Sequence, residues 1–203
     1  MVRAMNSVEH VVELQDVSRI RQGHPFRGAI PHMHDGPVQV IQIKNLAAPD
    51  PLAPDRLLRT RLHYRNEPDW LRSGDVLLAG RGNRPHAIVL PEPGTFTLCS
   101  PHLYVIRVTD EGRVLPGFLA WQLRQPSLQE QMRRRSAGTR QLSLCKSDVA
   151  QLRIQLPPLP LQRRILAIHE AAEAESATLD AIRHTRQQEL AALTERLLHG
   201  RAA

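Results

Sequence analysis

The chain has 203 residues, a formal net charge of +7, and 41% hydrophobic residues of which few are aromatic. That suffices for one medium domain plus an appendage, with a core built on Leu, Val and Ile. No apolar run reaches the roughly 20 residues of a membrane helix. Charges also interrupt "MVRAMNSVEHVVEL", where a signal peptide needs an apolar segment, and Cys99 and Cys145 are too few for a disulfide framework. The expectation is a soluble cytoplasmic protein.

From Val11 to about Gln155 the pattern is one of short strands and turns. After a first strand, "RQGHPFRG" (Arg21 to Gly28) reads as a Gly- and Pro-punctuated loop carrying Arg21, His24 and Arg27. "VQVIQIKNL" (Val38 to Leu46) alternates with period two, as a half-buried strand does. "GDVLLAG" (Gly74 to Gly80) and "HAIVL" (His86 to Leu90) are apolar runs bounded by Gly and Pro, and "HLYVIRV" (His102 to Val108) alternates again. Such a series predicts a mixed, mostly β domain rather than repeated βαβ units.

A helical patch follows, "PGFLAWQLRQPSLQEQMRRRSAG", which Pro126 should break in two. Ser127 with Glu130 has capping-box spacing and is expected to restart the second helix, which Gly138 can end. "QLRIQL" then returns to a strand. Beyond Pro157, Pro158 and Pro160 there is no Pro or Gly from Leu161 to His199, and Gly200 stands where a C-cap is expected. This predicts a helix of about 57 Å at 1.5 Å per residue. Its apolar or small seam runs through Ile165, Ile168, Ala172, Ser176, Leu179, Ile182, Leu190, Leu193 and Leu197, interrupted by Arg186. The spacing of three and four is close to a coiled-coil seam. A single amphipathic helix needs its stripe covered, and the chain has no second helix of comparable length to cover it.

Charge separates the two parts. Residues 161–203 carry six arginines and six acids, so the whole +7 falls on the first 160. Positive charge confined to one domain points to a polyanion partner, most simply nucleic acid, or else only keeps the domain soluble. "GRGNR" (Gly80 to Arg84) lacks the Lys-hydroxyl ending of a nucleotide P-loop. It reads either as a polar turn or as a loop presenting Arg81, Asn83 and Arg84, residue types that read guanine and adenine edges. "MRRRSAGTR" (Met132 to Arg140) either complements a helix dipole or clamps phosphates through Arg133, Arg134, Arg135, Thr139 and Arg140.

Chemistry-bearing patterns are thin. Cys99 and His102 have C-x-x-H spacing, but the four paired ligands of a structural zinc site are not evident, so no metal is expected. There is no G-x-S-x-G elbow and no catalytic Cys–His spacing. Asp75 has no second acid for acid–base work. "LPPLP" lacks the polar and aromatic residues that hold a flipped base for methylation. Neither catalytic residues nor a cofactor is expected.

"LQDVSRIRQGHPFRGAI", "VQVIQIKNL", "LRSGDVLLAGRGNRPHAIVL", "SPHLYVIRV" and "FLAWQLRQPSLQEQMRRRSAGTRQLSLCKSDVAQLRIQLPPLPLQRRIL" occur in that order. Together they resemble one target recognition domain and one helical region of a type I restriction–modification specificity subunit, over about residues 12–200. The resemblance implies a non-catalytic, sequence-specific DNA-binding subunit that directs a DNA methyltransferase complex, with a restriction subunit as a further partner. Full-length relatives carry two recognition domains and two helical regions packed as an antiparallel spacer. This chain has one of each and looks like a half-length subunit, expected to form a homodimer that reads a bipartite inverted repeat.

The resulting expectations are specific. The fold class is α+β: a mostly-β target recognition domain with short helices over residues 1–156, then a Pro-rich hinge and long helix over 157–203 forming an intermolecular coiled coil. Charge and loop position nominate Arg21, His24, Arg27, Lys44, Arg81, Asn83, Arg84, Arg133, Arg134, Arg135, Thr139 and Arg140 for contact with double-stranded DNA. The seam nominates Ile165, Ile168, Ala172, Leu179, Ile182, Leu190, Leu193 and Leu197 for dimerisation. Two alternatives stand beside this reading. One is an assembly or regulatory protein of a defence system that does not bind DNA and uses the helix for hetero-association. The other is a truncated fragment of a longer subunit.

Overall fold

A computed structural model describes residues 10–47, 50, 52–62, 67–82, 86–136 and 142–199. The chain divides into two compact units, Met1–Arg163 and Arg164–Ala203. Among the described residues no helix is long and apolar enough to cross a membrane.

The first unit is built around two small sheets. Strands β2 (Ser18–Gln22), β9 (Leu103–Val108), β5 (Val76–Ala79) and β7 (Ala87–Val89) form an antiparallel sheet in that order. A second sheet has β3 (Val38–Ile41) at its centre, antiparallel to β4 (Leu58–Thr60) and parallel to β8 (Thr97–Cys99). All four residues of β5 are buried. It lies between β9 and β7, and helix α2 (Pro116–Leu123) packs on it, so a continuous apolar run replaces the alternation of an edge strand. Ile41, Leu77, Leu103 and Val105 belong to the core cluster of this region.

"VQVIQIKNL" departs from the strand expected over its full length. The strand stops at Ile41, and Ile43–Leu46 form one helical turn, α1. Asn45 is the cause. Its side chain accepts a hydrogen bond from the Gln42 backbone N–H at 2.8 Å and donates to the Arg56 carbonyl, giving the backbone a local alternative to the ladder.

Pro126 does separate two helices, α2 and α3 (Pro126–Arg135). The expected capping box at Ser127 is not formed: Gln125 is the N-cap and Pro126 occupies the first turn. A proline at N1 needs no donor and already has a helical φ, which suits the start of a helix as well as it ends the previous one. Glu130 is instead taken by arginines. Gly138, the expected terminator, lies outside the described residues, and α3 ends at Arg135.

Two ribbons complete the unit. β6 (Arg81–Gly82) pairs with β10 (Leu142–Ser143), and α4 (Lys146–Ala150) leads to β11 (Arg153–Leu156). β11 pairs antiparallel with β1 (His10–Glu13), joining the first and last strands of the body. The long helix α5 is continuous from Leu159 to Leu198, 40 residues, and so starts two residues before the expected point.

The first turn of α5 belongs to the body through Gln162, which is fully buried. Its side-chain oxygen accepts the Leu115 N–H at 2.9 Å, and its amide donates to the carbonyls of Arg113 and Pro157, both at 2.8 Å. Gln162→Leu keeps the volume but strands one donor and two acceptors. The expected loss is about 3 kcal/mol of stability, read as a lower denaturant midpoint. An unchanged midpoint would refute the role given to these three bonds.

Candidate nucleic-acid interface

The strands deliver several of the nominated cations to one end of the body. At the end of β2, Gln22 pairs with Tyr104, the Gly23 N–H bonds to the Leu103 carbonyl, and the His24 N–H bonds to the Cys99 carbonyl. At the end of β5, Ala79 pairs with Leu103, and the Gly80 N–H bonds to the His102 carbonyl at 3.0 Å. At the end of β3, the Ile41 carbonyl accepts the Ser100 N–H at 2.8 Å. The segments following β2, β3, β5 and β8 therefore leave the two sheets at the same end.

Two glycines permit this convergence. A Cβ on Gly23 would overlap the Ser100 carbonyl, and one on Gly80 would stand 2.5 Å from the Tyr104 ring. Tyr104 is itself buried and donates its hydroxyl to the Leu144 carbonyl at 2.8 Å, holding the start of the β10–α4 connection against β9.

Between these segments lies an open cleft of about 510 Å³. Phe26, Ile30, Ile43 and Pro101 give it apolar walls, while Gln42, Lys44, Ser100 and His102 supply polar groups. The Ser100 hydroxyl is buried and has no hydrogen-bond partner among the described residues. Among the described residues no carboxylate lines the cleft and none pairs with Lys44, Arg27 or Arg81. Gln42, Ser100 and His102 were not nominated from sequence. Only their register beside the end of β2 and the turn into β9 brings them to this place.

The remaining nominated residues divide clearly. Arg21 is bound to Asp69, its Nε 2.8 Å from the carboxylate and its second nitrogen donating to the Asp69 carbonyl. His24 lies edge-on to Phe26, with ring centroids 4.9 Å apart. Burial lowers its pKa, and the charge of Arg21 lowers it further, so at neutral pH it offers a neutral ring rather than a cation. Arg133 and Arg134 share Glu130, and hydrogen bonds from Arg134 and then Arg133 hold its carboxyl below the usual range. Arg135 donates to both the side chain and the backbone carbonyl of Gln151, closing the end of α4. Asn83, Arg84, Thr139 and Arg140 lie outside the described residues. In the β6–β10 ribbon Gly82 faces Leu142 and Arg81 faces Ser143.

Asp75, the acid without an acid–base partner, is 1% exposed and structural. Its two carboxylate oxygens accept Arg107 Nε at 2.7 Å and a second Arg107 nitrogen at 2.8 Å, and one of them also accepts the Arg72 N–H. The hydrogen bond to Asp75 is the main influence raising the Arg107 pKa above its already high value. Arg107 also reaches Asp69, which links this pair to Arg21. Cys99 is equally inert, since burial pushes its thiol up to about 12. Among the described residues no group of three or more His, Cys, Asp and Glu side chains is placed to hold a metal ion.

In the second unit the nominated seam residues share one long helix. Leu179 is 54% exposed, Ile182 55% and Leu190 64%, whereas Ile165 is half-buried. Exposed large aliphatic side chains repeating along one face are a surface awaiting cover.

No family model matches the chain, and no curated relative does. Solved structures do match. A type I restriction–modification system S subunit from M. genitalium aligns with a TM-score of 0.61 and 12% identity over 97% of this chain and 47% of its own. The HsdS subunit from Thermoanaerobacter tengcongensis gives 0.62 and 23% over 91% of this chain and 47% of its own. A chain from a structure titled for complex assembly and conformational transition of the type I R-M system gives 0.64 and 20%, over 94% and 44%. The chain thus has the α+β fold of an S subunit, a mixed-sheet body followed by one long helix, and spans about half the length of the structures it matches.

Proposed function

We propose that this chain is a non-catalytic, sequence-specific DNA-binding subunit that directs a DNA methyltransferase, and with it a restriction subunit, to a target site. It works as a homodimer whose two bodies read the halves of a bipartite inverted repeat. The observation that carries the reading is the gathering of Arg27, Lys44 and Arg81 at one end of a body with the S-subunit fold, with no carboxylate among the described residues paired to them. Cations of this kind attract phosphates, and the polar groups of the cleft offer donors and acceptors to base edges. A two-fold pair of identical bodies favours a target with the same symmetry.

The direct test is selection from a random duplex pool by the protein together with its methyltransferase, followed by titration at several salt concentrations. A preferred duplex should bind at least roughly a thousandfold more tightly than scrambled DNA, with log affinity falling linearly in log salt. Lys44→Ala and Arg81→Ala should each reduce that salt slope by about 1 if the residue meets a phosphate. If no duplex is enriched, the DNA-binding reading is wrong.

A further inference from the structure

Resting on the DNA-binding reading, we infer that Arg21 reads a guanine edge and that Asp69 is its positioning residue. Two arginines share Asp69, and the fold uses them differently. Arg107 is saturated. Its Nε and one terminal nitrogen donate to the Asp75 carboxylate at 2.7 and 2.8 Å, that same nitrogen donates to the Trp70 carbonyl, and the other donates to Asp69 at 3.2 Å. Arg21 meets Asp69 along one edge only. Its Nε stands 2.8 Å from the carboxylate, and one terminal nitrogen donates to the Asp69 carbonyl at 2.7 Å. A guanidinium carries five N–H donors in a fixed fork. The other terminal nitrogen of Arg21, and one hydrogen of the first, have no acceptor among the described residues. The side chain is 22% exposed, and these donors are the ones left for a ligand.

Position and rigidity suit Arg21 to this task. It pairs with Val105 just before Gly23, where β2 gives way to the loop carrying Arg27, about 7 Å further along the strand. Its charge is also felt at His24. The contacts behind it are anchored in the core. Asp75 is 1% exposed and clamps Arg107, Arg107 holds one oxygen of Asp69, and the other oxygen faces Arg21. An arginine held in this way gives up little rotamer freedom when it meets a partner. Chemistry then selects the partner. Phosphate and guanine both offer paired acceptors to the fork. Phosphate is an anion that would have to approach beside the Asp69 carboxylate, which is 42% exposed. The O6 and N7 of guanine are neutral and meet no such repulsion. Adenine places a donor beside its N7, so a fork made only of donors rejects it.

The test selects duplexes from a random pool with the full-length protein and its methyltransferase, with and without Arg21→Ala. The unaltered protein should require guanine at a position where adenine weakens binding roughly ten- to a hundredfold, and Arg21→Ala should lose the preference at that position alone. Asp69→Asn keeps the shape but not the charge that orients Arg21, and should narrow the discrimination there and nowhere else. A third arm leaves the protein untouched: 7-deazaguanine at that position removes the N7 acceptor. It should cost the unaltered protein roughly tenfold and Arg21→Ala nothing. Equal weakening of every duplex by Arg21→Ala, with a salt slope smaller by about 1, would make Arg21 a phosphate contact and overturn the inference. An unchanged selection profile, or full affinity with 7-deazaguanine at every guanine of the target, would overturn it as well. If the unaltered protein enriches no duplex, the DNA-binding reading itself fails and this inference falls with it.

Discussion

Replacing Leu179 and Ile182 together with Asp is expected to yield a monomer at concentrations where the unaltered protein is a dimer. Leu179 and Ile182 lie on the exposed apolar seam of the long helix, which the proposed dimer covers. The double change removes four large aliphatic side chains per dimer. At about 2 kcal/mol each this is about 8 kcal/mol, or on the order of 10⁶-fold in the dissociation constant. The carboxylates add a desolvation penalty of their own. Both positions belong to the second compact unit and more than half of each side chain is exposed, so the body should keep its own unfolding midpoint. Sedimentation and denaturation of one sample measure both quantities. A double variant that remains dimeric would remove the helix from the interface. On DNA, the monomer should lose preference for an inverted repeat over a single half-site while keeping the salt slope of one body.

The second large effect lies in the body. Asp75→Ala is expected to cost about 3–5 kcal/mol, because breaking one side of a buried, doubly hydrogen-bonded ion pair leaves the other charge poorly compensated. The Arg107 side chain is only 24% exposed, so solvent reaches it partially and the lower end of the range is favoured. The Arg72 N–H would also lose its acceptor, and among the described residues Asp69 alone would remain as carboxylate for both Arg107 and Arg21. An unfolding midpoint unchanged in Asp75→Ala would show that the network adds nothing. Asp75→Asn separates the contributions: it keeps one acceptor and the shape, and should cost less than the alanine.

What could be read from the sequence followed the reach of each physical signal. Apolar residues located both β5 and β9, because burial imprints directly on residue type; the alternation read in β9 is not its burial pattern, since Leu103–Ile106 are buried in succession between β2 and β5. Proline placed the break between α2 and α3 through backbone chemistry that needs no tertiary context. Asn45 shows the limit. Its side chain ends β3 by bonding to Gln42 and Arg56, the latter eleven residues away, and no periodicity records that contact. The cleft was hidden for the same reason. Charge nominated Lys44, but its meeting with Gln42, Ser100 and His102 depends on strand register. Arg21 and Arg135 looked like Arg27 in sequence; only the fold reveals that Asp69 and Gln151 already engage them.

The ribbon formed by β1 and β11 has an evolutionary consequence. His10 pairs with Leu156 and Glu13 with Arg153, so the chain enters and leaves the body side by side. A unit with adjacent entrance and exit can be inserted, duplicated or exchanged by recombination at that doorway, with little demand on the segments outside it. Two boundaries, near residues 10 and 156, would then suffice to transplant one body onto another helix. Under the proposed function, new specificities would be acquired as whole cassettes rather than one side chain at a time.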